Sequence, residues 1–226
     1  MMIDSYHFDK TPEDAERETP IVDFADALYA AGDAVASTIL GWRLGYVTVC
    51  PGWSESYGAG PELGTLQYKP LTYTFMVSHE DEPADEETDE SIREHAVRDA
   101  AIHMACWLAL GEDPGDAPYS VSHYVGEACE RRYYEAGGFG PEPEIDCPED
   151  EDSAEFEEAE DAYTEWYEER SGMFWDLVVY KAADVVANHH EAIERVAVAL
   201  CYQGTLSGFQ VAEIVERAEE AERSAA

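Results

Sequence analysis

The feature that most restricts this chain's fold is a series of apolar runs at helical spacing, each closed by glycine. Ala25, Leu28, Ala31, Val35, Ile39 and Leu40 keep one face apolar, and Gly41 stops the segment. Ser91, with Glu94 in capping-box register, opens a second helix. Ile92, Ala96, Ala100, His103, Trp107 and Leu110 continue it to Gly111. A shorter helix is predicted over 121–134, ahead of Gly137, Gly138 and Gly140. Further on, Phe156, Ala159, Tyr163 and Trp166 form one stripe, and Leu177, Tyr180, Val185, Ile193, Val196 and Leu200 a longer one. A last helix is predicted over 209–217, after Gly204 and Gly208. Only two stretches read as extended: the β-rich run 46–49, stopped by Pro51 and Gly52, and 65–77, where Pro70 marks an edge strand or a break. The expected fold class is therefore mainly α with a small β-sheet.

At 45% hydrophobic content, 226 residues can bury one good core. The expected organisation is a flexible acidic arm over 1–20, holding Pro12 and Pro20, and a single domain over 21–226. Acidic loops are expected near 80–90, where eight of eleven residues are acidic, and near 142–151. No apolar run approaches the roughly 20 residues of a membrane span, and Met1, Met2, Ile3, Asp4 is no basic-then-apolar signal. The five cysteines (Cys50, Cys106, Cys129, Cys147, Cys201) form no CxxC pair, which predicts buried free thiols rather than a disulfide framework. A soluble, cytoplasmic protein is the resulting expectation.

Acidic residues outnumber basic ones 51 to 13, for a net charge of −38. Direct nucleic-acid binding is disfavoured, because little basic surface exists to replace counterions on a phosphate backbone. Two explanations for the acidity remain. Carboxylates spread over the whole surface suit a protein working in concentrated salt, where repulsion is screened within about 3 Å at 1 M. Carboxylates patterned on one face imitate DNA.

Residues 25–52, ADALYAAGDAVASTILGWRLGYVTVCPG, resemble the opening of the FtsH-type zinc peptidase domain. In that family an HEAGHAVV helix ends at a glycine twelve residues after its first His, and a VTI-x-P strand follows; here the spacing to Gly41 and the VTVCP strand are both kept. Residues 189–215, HHEAIERVAVALCYQGTLSGFQVAEIV, resemble the family's closing helices and its "tLsGeev" turn. The resemblance implies a zincin-like peptidase fold.

The HExxH chemistry needs two histidines one helical turn apart on Zn²⁺ and a Glu that takes the proton of the metal-bound water. Aligned on Gly32 and Gly41, these positions hold Tyr29, Ala30 and Asp33. The counterpart of the family's third ligand, an Asp in a D-x-x-x-A pattern, is Glu155 before Ala159. No GxxxxGK[ST] loop is present to serve the ATPase that feeds such proteases. The resemblance therefore implies an isolated peptidase-like domain with the zinc ligands and the base lost, and neither a cofactor nor a metal is expected.

One further set carries metal-ligand spacing: His95, Asp99 and His103 at i, i+4 and i+8 on one helix face, with Cys106 a turn beyond. All three cannot reach one ion from a straight helix, because they span about 12 Å. His189, His190 and Glu191 read as a helix start, with Glu194 where a second His would close a motif. No GxSxG elbow occurs. Aromatics at Trp53, Tyr57, Trp166, Tyr167, Phe174 and Trp175 read as core at helical spacing, or else as a binding patch. The leading expectation is a catalytically inactive pseudo-peptidase that binds a protein or peptide. The alternatives are an acidic DNA mimic or decoy for a nucleic-acid-binding protein, and a metal-dependent hydrolase with ligands relocated to His95, Asp99 and His103.

Overall fold

The computed structural model describes residues 22–50, 71–76, 88–112, 121–144 and 154–225. The expected arm over 1–20 lies outside these residues, as do most of the two acidic loops, Trp53 and Tyr57. In chain order the elements are α1 (Phe24–Ile39), β1 (Leu44–Cys50), β2 (Leu71–Met76), α2 (Asp89–Ala109), α3 (Val121–Glu135), α4 (Ala154–Asn188), α5 (His190–Gln203), β3 (Thr205–Ser207) and α6 (Gly208–Ala225). The chain is mainly helical with a small antiparallel sheet, as the periodicity predicts. No helix among the described residues is long and apolar enough to cross a membrane.

The chain falls into two compact units. The first comprises Met1–Pro83, Ile102–Ala117 and Ala182–Ala226. Its sheet has the order β2-β1-β3, both pairings antiparallel. Val47 stands opposite Thr74 on one side and Leu206 on the other. Val47 and Val49 point into the core while Tyr46 points out, the two-residue alternation of a half-buried strand. Helix α1 packs along α5, and its small face of Ala27, Ala30, Ala31 and Ala34 meets Ile193, Val196, Ala197 and Leu200 in one cluster. Small residues let the two backbones approach closely, and the branched side chains of α5 fill the space between them.

The second unit comprises Ala84–Ala101 and Pro118–Lys181. Aromatic rings fill it. Phe139 meets Tyr133, Tyr134, Trp166 and Tyr167 in tilted and edge-to-face contacts, and Phe174 packs on Tyr133 at 5.1 Å. A Cβ at Gly126 would lie 2.4 Å from the Trp175 ring, so this glycine makes room for the indole. The Trp175 N–H in turn donates to the buried Glu130 carboxylate at 3.1 Å. Trp166, Tyr167, Phe174 and Trp175 are thus packing residues of this unit.

Glycine ends the helices where the sequence places it. Gly41, Gly111 and Gly137 have φ of 84°, 73° and 73°, and each sits in a paired-bond termination. After α1, Trp42 N–H reaches Ser37 O at 2.8 Å; after α2, Glu112 N–H reaches Trp107 O at 3.2 Å; after α3, Gly138 N–H reaches Tyr133 O at 2.9 Å. The left-handed residue turns the chain so that these orphan carbonyls find donors.

Several details differ from the sequence reading. The cap of α2 is Thr88, not Ser91. Thr88 Oγ1 accepts from Ser91 N–H at 3.2 Å and Ser91 Oγ accepts from Thr88 N–H at 3.0 Å, so Ser91 plays the reciprocal third-position part. Leu177 and Tyr180 are 47% and 76% exposed rather than core, because the buried row of α4 runs through Phe174, Val178 and Ala182. The long C-terminal stripe is divided at His189, where the backbone leaves helical geometry between α4 and α5. The strand β3, too short to show periodicity, is held by Val47 and Thr48 of β1.

Candidate functional site

The turn Tyr29–Asp33, which the resemblance would align with HExxH, lies on α1 and is covered within the first unit by Ile102–Ala109 of α2. The approach is close at Gly32. A Cβ there would lie 2.9 Å from Ala105 O, Ala109 Cβ and Cys106 Cα, so a glycine is required for the helices to touch. Ala30, at the position where the resemblance would put a catalytic Glu, is 1% exposed and belongs to the core cluster. Tyr29 sets its ring edge-on against Trp107, centroids 5.3 Å apart at 81°.

Asp33 is buried with its carboxylate 3.7 Å from His103 Nδ1, an Asp–His pair joining α1 to α2. Cys106 Sγ donates to His103 O at 2.7 Å. Burial, followed by the adjacent Cys106, pushes the Tyr29 hydroxyl well above the usual phenol range. Burial and the Asp33 carboxylate do the same to the Cys106 thiol. Both groups therefore stay protonated at neutral pH, and neither supplies an anion to a metal or a nucleophile to a substrate.

This donor set does not fit the zinc that the peptidase resemblance implies. One carboxylate, one imidazole, a protonated phenol and a protonated thiol offer no deprotonated cage, and no base stands at position 30. Among the described residues no three His, Cys, Asp or Glu side chains converge for a metal ion. Glu155, the third-ligand counterpart, lies in the first turn of α4, in the second unit.

The relocated-ligand set is likewise put to separate uses. Asp99 accepts from Arg132 at 3.1 Å and from Arg98 at 3.4 Å. His95 lines a cavity of the second unit, and His103 belongs to the Asp33 pair of the first. In the sequence, Asp33 and His103 stand out in different constellations; 70 positions part them, and only the packing of α2 on α1 joins them. Local spacing carries no signal for such a pairing. Cys106, Cys129 and Cys201 are free and buried, as the cysteine pattern predicts. Neither a protein-family model nor a curated protein matches the chain.

Proposed function

We propose that this protein is a non-catalytic, peptidase-like domain that acts by binding a protein or peptide. The observation that carries the reading is the use made of the HExxH-equivalent turn. Ala30 is a core residue, Gly32 is a helix contact, Tyr29 is a protonated ring packed on Trp107, and Asp33 is committed to His103. Positions that an active zincin keeps for metal and base serve here to hold two helices together. Binding is the role left to a scaffold whose reactive groups have become structural.

The deciding experiment measures zinc per chain in protein purified without chelator, together with hydrolysis of an unfolded casein substrate. Substoichiometric zinc and no chelator-sensitive cleavage are expected. One tightly held zinc per chain with cleavage abolished by chelator overturns the proposal.

A second reading, the acidic decoy, draws support from α4. Seven exposed carboxylates lie between Glu157 and Glu169. At about 3.6 residues per turn they occupy roughly half the helix circumference, and at ~1.5 Å rise they average about one per 2.6 Å. One DNA strand carries a charge roughly every 3.4 Å, so the linear density is that of a nucleic acid. Competition between this protein and a DNA duplex for a basic DNA-binding protein tests this reading. Displacement that persists when Glu157, Asp161 and Glu165 are changed to Gln excludes α4 as the mimic face.

A further inference from the structure

Along α4 of the second unit, Tyr163, Trp166, Arg170, Met173, Leu177 and Tyr180 recur at alternate spacings of three and four residues, the spacing of a coiled-coil seam. At Trp166 the seam is covered, because Phe139 and Tyr134 pack on the indole. From Met173 onward it is open: Met173, Leu177 and Tyr180 are 52%, 47% and 76% exposed. Six large apolar side chains are exposed among the described residues, and these three fall on two adjacent helical turns, a ridge about 10 Å long. Single exposed apolar residues need no explanation, whereas a continuous row of them marks a surface that meets a partner.

At about 100° of rotation per residue, Glu165, Glu169 and Asp176 form a row along one flank of this ridge, and all three are exposed. Asp184, also exposed, stands one turn beyond Tyr180 on the line of the ridge. The opposite flank is close to neutral. Arg170 and Lys181 lie there, with Glu90, Arg93 and Glu94 of α2 across the groove that Leu177 also lines, and Arg98 in that groove is paired with Asp99. Arg170 is held to the ridge itself, its Nη1 3.7 Å from the Met173 sulfur. The surface is therefore apolar along its crest and acidic along one edge.

We propose that this ridge docks an amphipathic helix of a partner protein, which lays its apolar face along Met173, Leu177 and Tyr180 and turns a Lys/Arg rim toward Glu169 and Asp176. The inference rests on the peptide-binding reading and names the surface and the class of partner. Charge decides among the occupants. A second copy of a molecule of net charge −38 would bring like charge against the acidic edge, and an anionic bilayer is repelled in the same way. A basic-rimmed helix meets both features at once, its apolar face covering the crest and its cations answering the carboxylates.

The probe is a dye-labelled Leu/Lys peptide of about 18 residues, apolar on one face when helical, set against a Gly/Lys peptide of equal length and charge. Fluorescence anisotropy with the full chain in about 1 M KCl, where charges are screened within about 3 Å, separates docking from the general pull of an acidic protein on cations. The Leu/Lys peptide is expected to bind with a Kd below about 100 µM, and the Gly/Lys peptide about tenfold more weakly or less. Leu177→Ser and Tyr180→Ser should each weaken the Leu/Lys peptide about tenfold, while Phe209→Ser, at an equally exposed residue of α6, should leave it unchanged. At about 0.1 M KCl, Glu169→Gln with Asp176→Gln should weaken it about fivefold, and Glu216→Gln with Glu220→Gln on α6 less than about twofold. Equal binding of the two peptides, equal weakening by Tyr180→Ser and Phe209→Ser or by the two acid pairs, or no binding at all, the result if another segment of this chain already lies on the ridge, overturns the proposal. So does a dimer in sedimentation that Leu177→Ser dissolves, which assigns the ridge to a second copy. None of these failures touches the peptide-binding reading itself, which falls on bound zinc with chelator-sensitive cleavage.

Discussion

Gly32 shows how a single atom sets a helix contact. In the family resembled here it is the glycine of HEAGH, but its physical duty in this chain is clearance. An added methyl would meet backbone at Ala105 and Cys106 and the Ala109 methyl, each at 2.9 Å, none of which is the far end of a flexible side chain. Gly32→Ala gains helix propensity but forces α2 away from α1, and overpacking of this kind costs about 1–3 kcal/mol. A urea midpoint lowered by that amount is the expected result; an unchanged midpoint would show that the helices part freely. The buried thiols give a second residue-scale prediction. Burial raises Cys129 and Cys201 to about 11 from an ordinary value of 9.0, Asp99 adding to the first and Asp23 to the second. Because the folded values exceed the unfolded ones, this contribution is full below pH 9 and fades as pH climbs to about 11. The loss reaches on the order of 1–2 kcal/mol per thiol by pH 10.5. Denaturant midpoints at pH 8 and 10.5 check it, and substitution of both cysteines by Ala should flatten that part of the alkaline decline. At this scale the sequence showed which positions lack HExxH chemistry, because identity alone settles that Ala30 is no base. It did not show that Asp33 meets His103, since that contact exists only after two helices pack.

Among the elements, helix ends were the most legible feature. Gly41, Gly111 and Gly137 can turn left-handed without a Cβ penalty, so the sequence marks their places directly. Helix starts were less so. Thr88 and Ser91 are both capping residues, three apart, and sequence alone favours the one followed by Glu94. The structure gives the cap to Thr88, which moves Asp89 and Glu90 from the acidic loop into the first turn of α2, where carboxylates interact well with the helix N-terminus. Thr88→Ala should destabilise the protein by about 1 kcal/mol, whereas Ser91→Ala, which removes only the reciprocal bond, should cost less. The pair of urea titrations separates the two caps, and a larger loss at Ser91 would return the helix start to the position the sequence favoured. The misreading of Leu177 and Tyr180 has a related cause. On a helix of 35 residues an apolar residue every third or fourth position satisfies more than one stripe, and only contact decides which stripe is buried.

Across the whole molecule, the charge of −38 is the quantity that no local packing compensates. Among the described residues, several ion pairs join side chains one helical turn apart at the surface, such as Arg131–Glu135 and Arg217–Glu213, each worth a few tenths of a kcal/mol. With four acids for every base, roughly, most carboxylates have no cation to meet, and folding brings them closer than the unfolded chain does. Raising salt from 0.1 M to 1 M shortens the screening length from about 10 Å to about 3 Å, which removes repulsion between carboxylates a helix turn or more apart while leaving the buried contacts of α1, α5 and α6 intact. Salt should therefore raise stability without any partner present, and the melting temperature is expected to climb steadily between 0.1 M and 2 M KCl. The same titration bears on the reason for the acidity. A protein built for concentrated salt keeps gaining over the whole range, because its carboxylates lie on every segment. A dedicated decoy folds well at low salt and binds its basic target with an affinity that falls steeply as salt rises. A flat or falling melting curve therefore rejects salt adaptation, and it shifts the weight to the carboxylate row of α4 as the surface that meets a partner.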